Sequence, residues 1–491
     1  MSDPKSLPQR ADLLIRGGTL YDGTGAEGRA ADVAVSDDRI VAVGDLGGMT
    51  AEREVDAGGR AVAPGFIDVH THDDRFLFTN PDMAPKASQG VTTVVVGNCG
   101  FSLAPWKGYG ENQFPFSMWL DRPELQFESA ADYLDGMERM PPAINGAMLI
   151  GHSSLRYGAM DDVGRPARDG EIAAMQDSLR ENIEGGAIGM SSGLFYPPAQ
   201  AATTDEVAAI AEALSKHDAI YTAHIRDEAE HVLEAIEEAA TIARHADVQL
   251  VISHHKAAGL QNFGKTLQTL PLIDKLRGEQ RITLDVYPYI ASSTMILPHL
   301  VGRCEKVLIT WSRDNPQYRG TDLDEIAAEM GLERREAAEA LVPGGAVYFQ
   351  LNEDDVQRVI GFPGAMIGSD GIPDDRHPHP RLWGTFPRVL GHYARDLGLL
   401  PLHEAVHRMT GLPASEFGFK DRGVIRPGAF ADITLFDPKT VKDSATFEAP
   451  MQPAIGIELV LVNGRPVWRD GKATGERPGR PIRLKDTVRG R

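Results

Sequence analysis

The sequence predicts an α/β protein built on a (β/α)8 barrel, with a small β-sandwich beside it. Eight short apolar, β-branched runs each end in a polar residue, and stretches of helical spacing separate several of them. Runs of about four to eight apolar residues between turn signals are typical of strands buried on both faces of a parallel sheet. Eight such βα units close naturally into a barrel, whose active site lies where its strands end.

The residues that end these runs are of types that carry out chemistry. In chain order the runs are VAPGFIDVHTH, GVTTVVVGNC, INGAMLIGH, GAIGMSS, AIYTAH, VQLVISHH, RITLDVYPY and AMIGSD. They end, respectively, at His70 and His72, Cys99, His152, Ser191 and Ser192, His224, His254 and His255, Tyr287, and Asp370. Because parallel strands end at one rim of a barrel, we expect the polar side chains to gather there.

The segments between the strands predict helices. Residues 203–217 begin with the Thr and Asp typical of a helix N-terminus, and residues 227–245 show the same apolar spacing. The stretch from Tyr289 to about Gly361 is too long for one βα connection. It contains TDLDEIAAEMGLERREAAEALV, which predicts a helical insertion at about residues 290–360, near the active-site mouth.

Both ends of the chain differ from the barrel in pattern. Short alternating strands punctuated by Gly and Asp occupy residues 10–62, and the same pattern returns after Gly423. Neither end holds enough strands to bury a core of its own. We therefore predict one discontinuous β-sandwich domain from residues 1–62 and 415–491, with the barrel of residues 63–414 inserted into it.

Size, charge and cysteine content exclude several classes of protein. The chain has 491 residues, which exceeds a typical barrel of about 250 residues by enough for a second domain. A net charge of −20 would repel nucleic acid and anionic membranes, so we expect neither as a partner. Cys99 and Cys304 give no disulfide framework, and we see neither a secretory signal nor a membrane-spanning run. These features predict a cytoplasmic protein; they make no prediction about oligomeric state.

Six of the strand-end residues form a candidate metal centre. They are His70, His72, Cys99, His224, His254 and Asp370. The two histidines of the His-Thr-His run share one face of a strand, because side chains alternate with a period of two. Each residue alone has a plain structural alternative: an isolated His pair, a buried core cysteine, or an Asp-Gly turn. Their joint placement at strand ends favours a metal site. His255 should point away from His254 and serve either in packing or in hydrogen bonds that support the ligands.

The chain resembles the D-aminoacylase (N-acyl-D-amino-acid deacylase) family of the amidohydrolase superfamily. The motifs that carry the resemblance are GFIDVHTHDD, VVVGNCGFS, GHSSLRYG, MSSGLFYPPA, YTAHIRDE, VISHHK, DVYPYIASSTM, GSDG and HPRLWGTFPRVLG. Many relatives bridge two metals with a carboxylated lysine, whereas this family uses a cysteine at the second strand. Cys99 stands at that position.

The resemblance implies a role for each matching residue. It implies a tight zinc ion at Cys99, His224 and His254. A second, weaker metal would lie at His70 and His72 and share Cys99 and Asp370. The substrate α-carboxylate would be held by Lys256, Tyr287, Ser293 and Arg381, and Tyr196 would lie near the scissile carbonyl.

These assignments predict a zinc-dependent hydrolase that acts on a small molecule, an N-acyl-D-amino acid. Zinc with three protein ligands keeps an open position for water and lowers the pKa of that water towards about 7. Asp370 can then accept the water proton and deliver it to the leaving amine. Two alternatives stay open: a cyclic-amide hydrolase of the dihydroorotase or hydantoinase kind, and a non-catalytic barrel that serves as a scaffold.

The stretch after the seventh strand predicts the substrate preference. Met295, Ile296, Leu297 and Leu300 are apolar, and the nearby cations are His299 and Arg303. An acidic substrate side chain would need a cation in the pocket, since a buried unpaired charge costs several kcal/mol. We therefore expect a preference for neutral, apolar D-amino acids over D-aspartate and D-glutamate.

Overall fold

The structure, a computed structural model, describes residues 10–108 and 123–489. The first strands are β1 (Arg10–Leu20), β2 (Arg29–Ser36), β3 (Arg39–Gly44), β4 (Thr50–Asp56) and β5 (Ala61–Pro64). β1 pairs with β2 in antiparallel orientation and with β4 and β5 in parallel. Leu13 and Ile15 pack in one apolar cluster, while Ala11 and Leu14 pack in another. Because successive side chains of β1 face opposite sides, both faces of this sheet are covered.

In the described residues, seven parallel barrel strands and nine α-helices come next. The strands are β6 (Phe66–Asp68), β7 (Val91–Val96), β8 (Asn145–Gly151), β9 (Gly189–Gly193), β10 (Ile220–His224), β11 (Gln249–Ile252) and β12 (Ile282–Val286). The helices are α1 (Phe76–Thr79), α2 (Ala84–Ala87), α3 (Ala130–Arg139), α4 (His152–Ala159), α5 (Asp169–Glu184), α6 (Pro197–Gln200), α7 (Thr204–Ser215), α8 (Val232–His245) and α9 (Thr266–Arg277). In β10, Ile220 packs in the barrel interior and Tyr221 packs against the helices.

The predicted insertion contains its two helices and also a sheet that the sequence does not predict. Its elements are β13 (Ala291–Met295), β14 (Lys306–Ser312), β15 (Thr321–Asp322), α10 (Leu323–Met330), α11 (Arg334–Ala340) and β16 (Gly344–Phe349). The strands form an antiparallel sheet in the order β13-β16-β14-β15. Ile309 and Tyr348 of this sheet share a buried cluster with Leu323 and Ile326 of α10. The insertion is therefore a small α+β layer with its own core.

The eighth barrel strand comes after the insertion. The elements are α12 (Glu353–Gly361), β17 (Ala365–Ile367), α13 (Arg381–Arg388), α14 (Leu402–Met409) and α15 (Gly411–Phe417). β17 pairs with β12, and the eight parallel strands follow the order β6-β7-β8-β9-β10-β11-β12-β17. An isolated parallel bridge from Thr71 to Gly371 joins the first and last strands at their carboxyl ends. The predicted (β/α)8 barrel is confirmed.

The last part of the chain completes the terminal sheet. Its strands are β18 (Ile433–Phe436), β19 (Ile457–Val462), β20 (Arg465–Arg469), β21 (Lys472–Ala473) and β22 (Pro481–Ile482). β18 pairs with β5, so strands from both ends of the chain share one nine-stranded sheet. β22 lies instead beside β8, at Gly146 and Ala147, because β9 starts to pair with β8 only at Leu149. The predicted domain boundaries at residues 62 and 414 stay predictions.

The remaining helical segments are short. They are Pro123–Leu125, Leu260–Asn262, Val301–Arg303, Pro316–Tyr318, Leu484–Asp486 and the π-helix Val389–Asp396. Within residues 10–108 and 123–489, no helix has the length and apolar character needed to cross a bilayer.

Candidate metal centre and substrate pocket

Each predicted metal ligand lies at the carboxyl end of a barrel strand. His70 and His72 follow β6, Cys99 follows β7, His224 ends β10, His254 follows β11, and Asp370 follows β17. Five of the six are buried, and His72 is partly exposed. The barrel topology therefore collects residues from five separate strands at one rim.

The ligand atoms lie close together. The Sγ of Cys99 is 3.2 Å from Nε2 of His70 and 3.4 Å from Nε2 of His254. The Oδ1 of Asp370 is 3.1 Å from Nε2 of His72 and 3.6 Å from Nε2 of His70. His70, Cys99, His254 and Asp370 each offer one ligand atom within 4.8 Å of the others. His224 belongs to a second such group, together with Glu228 and His254.

Three of these residues have an unusual backbone conformation. The φ angles of Cys99, His254 and Asp370 are 55°, 35° and 51°, in the left-handed region that side chains disfavour. Such a conformation costs about 1–2 kcal/mol per residue and is found where function requires it. Next to Cys99, Gly100 also has a positive φ, and a Cβ on it would lie 2.8 Å from the amide nitrogen of Gly193. The turn after β7 thus needs glycine at position 100.

The electrostatics of the site favour anionic groups at Cys99 and Asp370, while these and neighbouring carboxylates raise the pKa of His70, His72 and His254 in spite of their burial. Burial opposes ionisation of the Cys99 thiol, but His70 and His254 outweigh it and hold the thiol pKa well below its usual value. Burial likewise opposes ionisation of Asp370, yet Arg381 and His254 keep the pKa of that carboxyl well below its usual range. For His224, burial lowers the imidazole pKa. The site thus presents a thiolate, a carboxylate and a neutral imidazole.

The buried His224 ring supports the fit of these residues to a metal ion. Neither ring nitrogen of His224 has a hydrogen-bond partner among the described residues. A buried polar atom without a partner is costly and rare, so its presence indicates a missing ligand. Thiolate sulfur, imidazole nitrogen and carboxylate oxygen are the donors that zinc takes in proteins.

Two acidic residues that sequence reasoning missed orient the ligands. Asp285 accepts a hydrogen bond from the amide of His254 at 2.9 Å and lies 3.4 Å from Nδ1 of His70. Glu228 lies 3.0 Å from Nδ1 of His254. Carboxylates that bond the second ring nitrogen of a ligating histidine fix its orientation. The sequence held a signal for both, since Asp285 shares a strand face with Tyr287, and Glu228 follows His224 by four residues.

The residues predicted to hold a substrate carboxylate lie around one aromatic ring. The guanidinium of Arg381 lies 4.6 Å from the centroid of the Tyr287 ring, and Nζ of Lys256 lies 5.5 Å from it. Arg381 donates to the carbonyl of Ser293 at 3.1 Å. The hydroxyls of Tyr287 and Ser293 are buried and have no partner among the described residues. Burial raises the pKa of Tyr287 to about 12, so its hydroxyl stays a donor.

Both cations of this group contact carboxylates of the chain itself. The Nη1 of Arg381 lies 2.9 Å from Oδ2 of Asp370, and Arg381 is fully buried. The Nζ of Lys256 lies 2.6 Å from Oε1 of Glu228. The predicted carboxylate-binding cations are thus linked directly to the metal ligands and to the residues that orient them.

An apolar pocket opens beside His72 and Cys99. Its other lining residues are Asp74, Phe101, Tyr196, Thr294, Met295, Trp311, Gly344, Gly345, Ile372, Asp374 and Asp375. Tyr196 therefore lies between the metal ligands and the insertion, and Thr294 donates to its hydroxyl at 3.3 Å. Residues of the barrel rim and residues of the insertion sheet together line this pocket.

The prediction for the apolar stretch of the insertion is partly wrong. Met295 lines the pocket, but Ile296, Leu297 and Leu300 pack inside the core of the insertion. The chain leaves β13 at Met295, and the next residues turn towards the helices that cover the sheet. Trp311 and Ile372 supply the apolar walls instead.

The other strand-end residues have structural partners. The second ring nitrogen of His255 lies 2.8 Å from Thr269, in agreement with a packing role. The hydroxyl of Ser191 donates to the carbonyl of Gly97, and Ser192 bonds the hydroxyl of Tyr221. His152 lies 3.5 Å from Glu206. These side chains do not join the metal ligands.

Comparison with known proteins identifies the family. A family profile described as "Amidohydrolase family" matches residues 53–286 and 220–468. The chain is 52% identical to the D-aminoacylase of Alcaligenes xylosoxydans xylosoxydans over 482 residues, which is 98% of this chain and 99% of that protein. The chain belongs to the D-aminoacylase family of the amidohydrolases. It is also 47% identical to the N-acyl-D-aspartate deacylase of the same organism over 495 residues, covering 99% of each.

Solved structures of family members are very similar to this chain. One D-aminoacylase, described with a binuclear metal centre, superposes with a TM-score of 0.94 at 49% identity, covering 96% of this chain and 100% of that one. An N-acyl-D-glutamate deacylase from Bordetella bronchiseptica, in complex with zinc and a phosphonate that mimics the tetrahedral intermediate, gives 0.93 at 44% identity with the same coverage.

Proposed function

We propose that this family member hydrolyses the amide bond of N-acyl-D-amino acids and releases a carboxylate and a free D-amino acid. The observation that carries the proposal is the cluster of Cys99, His70, His254 and Asp370 within 4.8 Å at the barrel rim. Zn2+ bound there would polarise the amide carbonyl and acidify a water molecule. The enzymes that resemble this chain along its whole length are deacylases of D-amino acids.

The metal ligands divide into two groups in this proposal. Cys99, His224 and His254 would hold a tight zinc ion, and His70 and His72 would hold a second, weaker metal together with Cys99 and Asp370. The ring of His224, which has no hydrogen-bond partner among the described residues, and the 3.4 Å contact between Cys99 and His254 support the first group. The contacts of Asp370 with both His70 and His72 support the second.

Asp370 moves the proton in this proposal. Its carboxylate is ionised, buried and adjacent to the metal ligands. It accepts a proton from the attacking water and later delivers that proton to the nitrogen of the leaving amino acid, acting first as base and then as acid. Asp370 keeps its position through the ion pair with Arg381.

The substrate α-carboxylate binds to Lys256, Tyr287, Ser293 and Arg381. The free hydroxyls of Tyr287 and Ser293 support this assignment, because each can donate a hydrogen bond to a carboxylate. Arg381 offers planar, charge-assisted bonds. Tyr196, on the pocket wall, lies near the scissile carbonyl in this arrangement.

The side-chain pocket favours neutral and apolar substrates. Phe101, Met295, Trp311 and Ile372 are apolar or aromatic, and none of the described lining residues is a lysine or an arginine. The pocket instead contains three aspartates, Asp74, Asp374 and Asp375. Burial raises the pKa of Asp74 to about 6 and that of Asp375 to about 7, which supports a pocket that disfavours negative charge. An acidic substrate side chain would meet the same penalty.

We also place the enzyme in the cytoplasm. Cys99 and Cys304 are both free and buried. A thiolate that ligates zinc must stay reduced, and a reducing compartment maintains that state.

A panel of N-acetyl amino acids in both configurations tests the function. The zinc-loaded enzyme should hydrolyse N-acetyl-D-methionine and N-acetyl-D-leucine and leave their L-enantiomers intact. Amino acid release is measured by chiral chromatography, and dihydroorotate and a 5-substituted hydantoin are run alongside. Hydrolysis of the rings without the linear amides would contradict the proposal and favour a cyclic-amide hydrolase. Inactivity on every substrate would favour a scaffold.

The preference of the pocket is tested with a matched pair of substrates. N-acetyl-D-glutamine and N-acetyl-D-glutamate have the same shape, so their comparison isolates the charge. We expect kcat/KM to be lower for the glutamate derivative by about 10²-fold or more, because a buried unpaired charge costs several kcal/mol. N-acetyl-D-methionine should exceed both. Equal values for the matched pair would show that a cation reaches the pocket.

A further inference from the structure

The barrel has a weak seam between its first and last strands. β6 and β17 lie at opposite ends of the strand order, and no ladder of named strands joins them. In the described chain, the backbone contacts across the seam are the Asp370 amide to the His70 carbonyl at 2.8 Å and the His72 amide to the Gly371 carbonyl at 3.4 Å. His70 and His72 therefore lie on one side of the seam, and Asp370 lies on the other.

A fully buried lysine spans this seam. Lys86, on α2, has no exposed surface. Its Nζ lies 2.8 Å from Oδ2 of Asp68 on β6 and 2.7 Å from the hydroxyl of Ser369, which follows β17. It also forms an ion pair with Asp73 at 3.3 Å. Burial opposes the charge of Lys86, but Asp68 and Asp73 outweigh it and raise the lysine pKa.

The partners of Lys86 hold the backbone of the metal ligands. Oδ1 of Asp68 accepts hydrogen bonds from the amides of Ser369 at 2.8 Å and His70 at 3.4 Å. The hydroxyl of Ser369 accepts one from the amide of Gly371 at 3.2 Å. Asp370 lies between Ser369 and Gly371 and has a strained φ of 51°. The hydrogen bonds on either side maintain this conformation.

The two sides of the seam approach closely. A Cβ on Gly368 would lie 2.7 Å from Cβ of His70, so the strands leave no spare room at this level. A single ammonium group that bonds both sides can fix such a junction, because three acceptors from separate segments converge on it. A shift of about 1 Å at the reacting groups is enough to lower a rate by about 10²-fold.

We propose that Lys86 is a positioning residue that holds β6 and β17 together so that His70 and His72 face Asp370 in the geometry needed for hydrolysis. The proposal rests on the proposed function for its kinetic consequence. Lys86 lines neither the pocket nor the two groups of candidate metal ligands; it acts through Asp68 and Ser369.

The test uses two variants, because Lys86→Met alone would leave the buried carboxylates of Asp68 and Asp73 uncompensated. The first is the triple variant Lys86→Met/Asp68→Asn/Asp73→Asn, in which the side-chain oxygen at position 68 can still accept from the Ser369 and His70 amides. The second is Ser369→Ala, which changes no charge. The matched control is Arg422→Met/Asp432→Asn, which removes another buried ion pair, in the part of the chain next to the terminal sheet.

Two readouts separate positioning from general stability. We expect kcat to fall about 10–100-fold in both seam variants while KM changes less than about threefold. In a Co2+ titration, the thiolate-to-metal absorption that develops with the first equivalent should persist, while the second equivalent should bind about 10–100-fold more weakly. The control should lower the melting temperature without either effect.

Other outcomes decide against the proposal. Seam variants that keep kcat within about twofold of the unaltered enzyme would overturn it, as would an equal loss of kcat in the control. If the unaltered chain hydrolyses no N-acyl amino acid, the proposed function fails by itself. The Co2+ titration does not depend on substrate and still decides on Lys86, since unchanged affinities in both seam variants would count against it.

Discussion

Replacement of Cys99 by alanine is expected to remove both the tightly bound zinc and the hydrolytic activity. The thiolate lies between His70 and His254 and is the softest donor of the cluster. Three protein ligands are the usual minimum for a catalytic zinc, and the variant would leave His224 and His254 alone. Metal content after dialysis should fall from at least one zinc per chain to a trace, and turnover of N-acetyl-D-methionine should fall to background.

The other cysteine provides a matched control for this experiment. Cys304 is also free and buried, but it lies in the core of the insertion, 3.4 Å from the carbonyl of Leu300. Burial raises the pKa of Cys304 to about 11, so it is a thiol and not a metal-binding thiolate. Cys304→Ala should therefore keep both zinc and activity. Full activity in the Cys99 variant, or in metal-free enzyme, would refute the metal mechanism.

Asp370→Asn is expected to separate catalysis from metal binding. The tight zinc ligands lie elsewhere, so the variant should keep that ion. Its kcat should fall by about 10²–10⁴-fold, the usual contribution of general acid–base catalysis, because an amide cannot take up the water proton. Metal analysis and steady-state kinetics on the same preparation measure both effects. A variant with most of the original kcat would rule out the proton-transfer role.

This substitution also breaks a buried ion pair, which needs its own control. Arg381 would lose the carboxylate that lies 2.9 Å from it, and a buried charge without its partner destabilises a protein by about 3–5 kcal/mol. Asp432→Asn breaks the comparable buried pair with Arg422, away from the metal ligands. The control should show a similar loss of thermal stability and an unchanged kcat. A similar loss of kcat in both variants would attribute the effect to stability.

The gathering of the candidate metal ligands at one rim could be predicted from sequence, because the barrel fixes where strand ends lie. Once the run ending at His224 and the run ending at His254 are identified as neighbouring strands, their ends must meet at one rim. Apolar runs and β-branched residues are local signals, so they can be recognised in a single sequence. The same reasoning assigns Asp370 to the rim, although Asp-Gly also predicts a simple turn.

What escaped prediction depends on contacts between distant segments. β13 reads ASSTM, a short and mostly small or polar run that becomes a strand because it pairs with residues 344–349. Ile296 and Leu297 follow β13. A shift of one residue in register would exchange the faces on which such side chains lie, so the sequence alone does not fix whether they line the pocket or the core of the insertion. Lys86 takes its importance from partners elsewhere in the chain, at Asp68 and Ser369. No local pattern encodes such pairs.

The terminal sheet has a consequence for the way this chain is made. β5 pairs with β18, so the strand at Ala61–Pro64 must wait for Ile433–Phe436, about 370 residues later. Ribosomes add about 5–20 residues per second, so this edge of β5 stays unpaired for roughly 20–70 seconds during synthesis. The barrel sheet is also completed late, because β22 at Pro481–Ile482 pairs with β8 at Gly146 and Ala147. The terminal sheet therefore cannot be completed before the end of synthesis, and its early strands must be kept from other chains until translation is nearly complete.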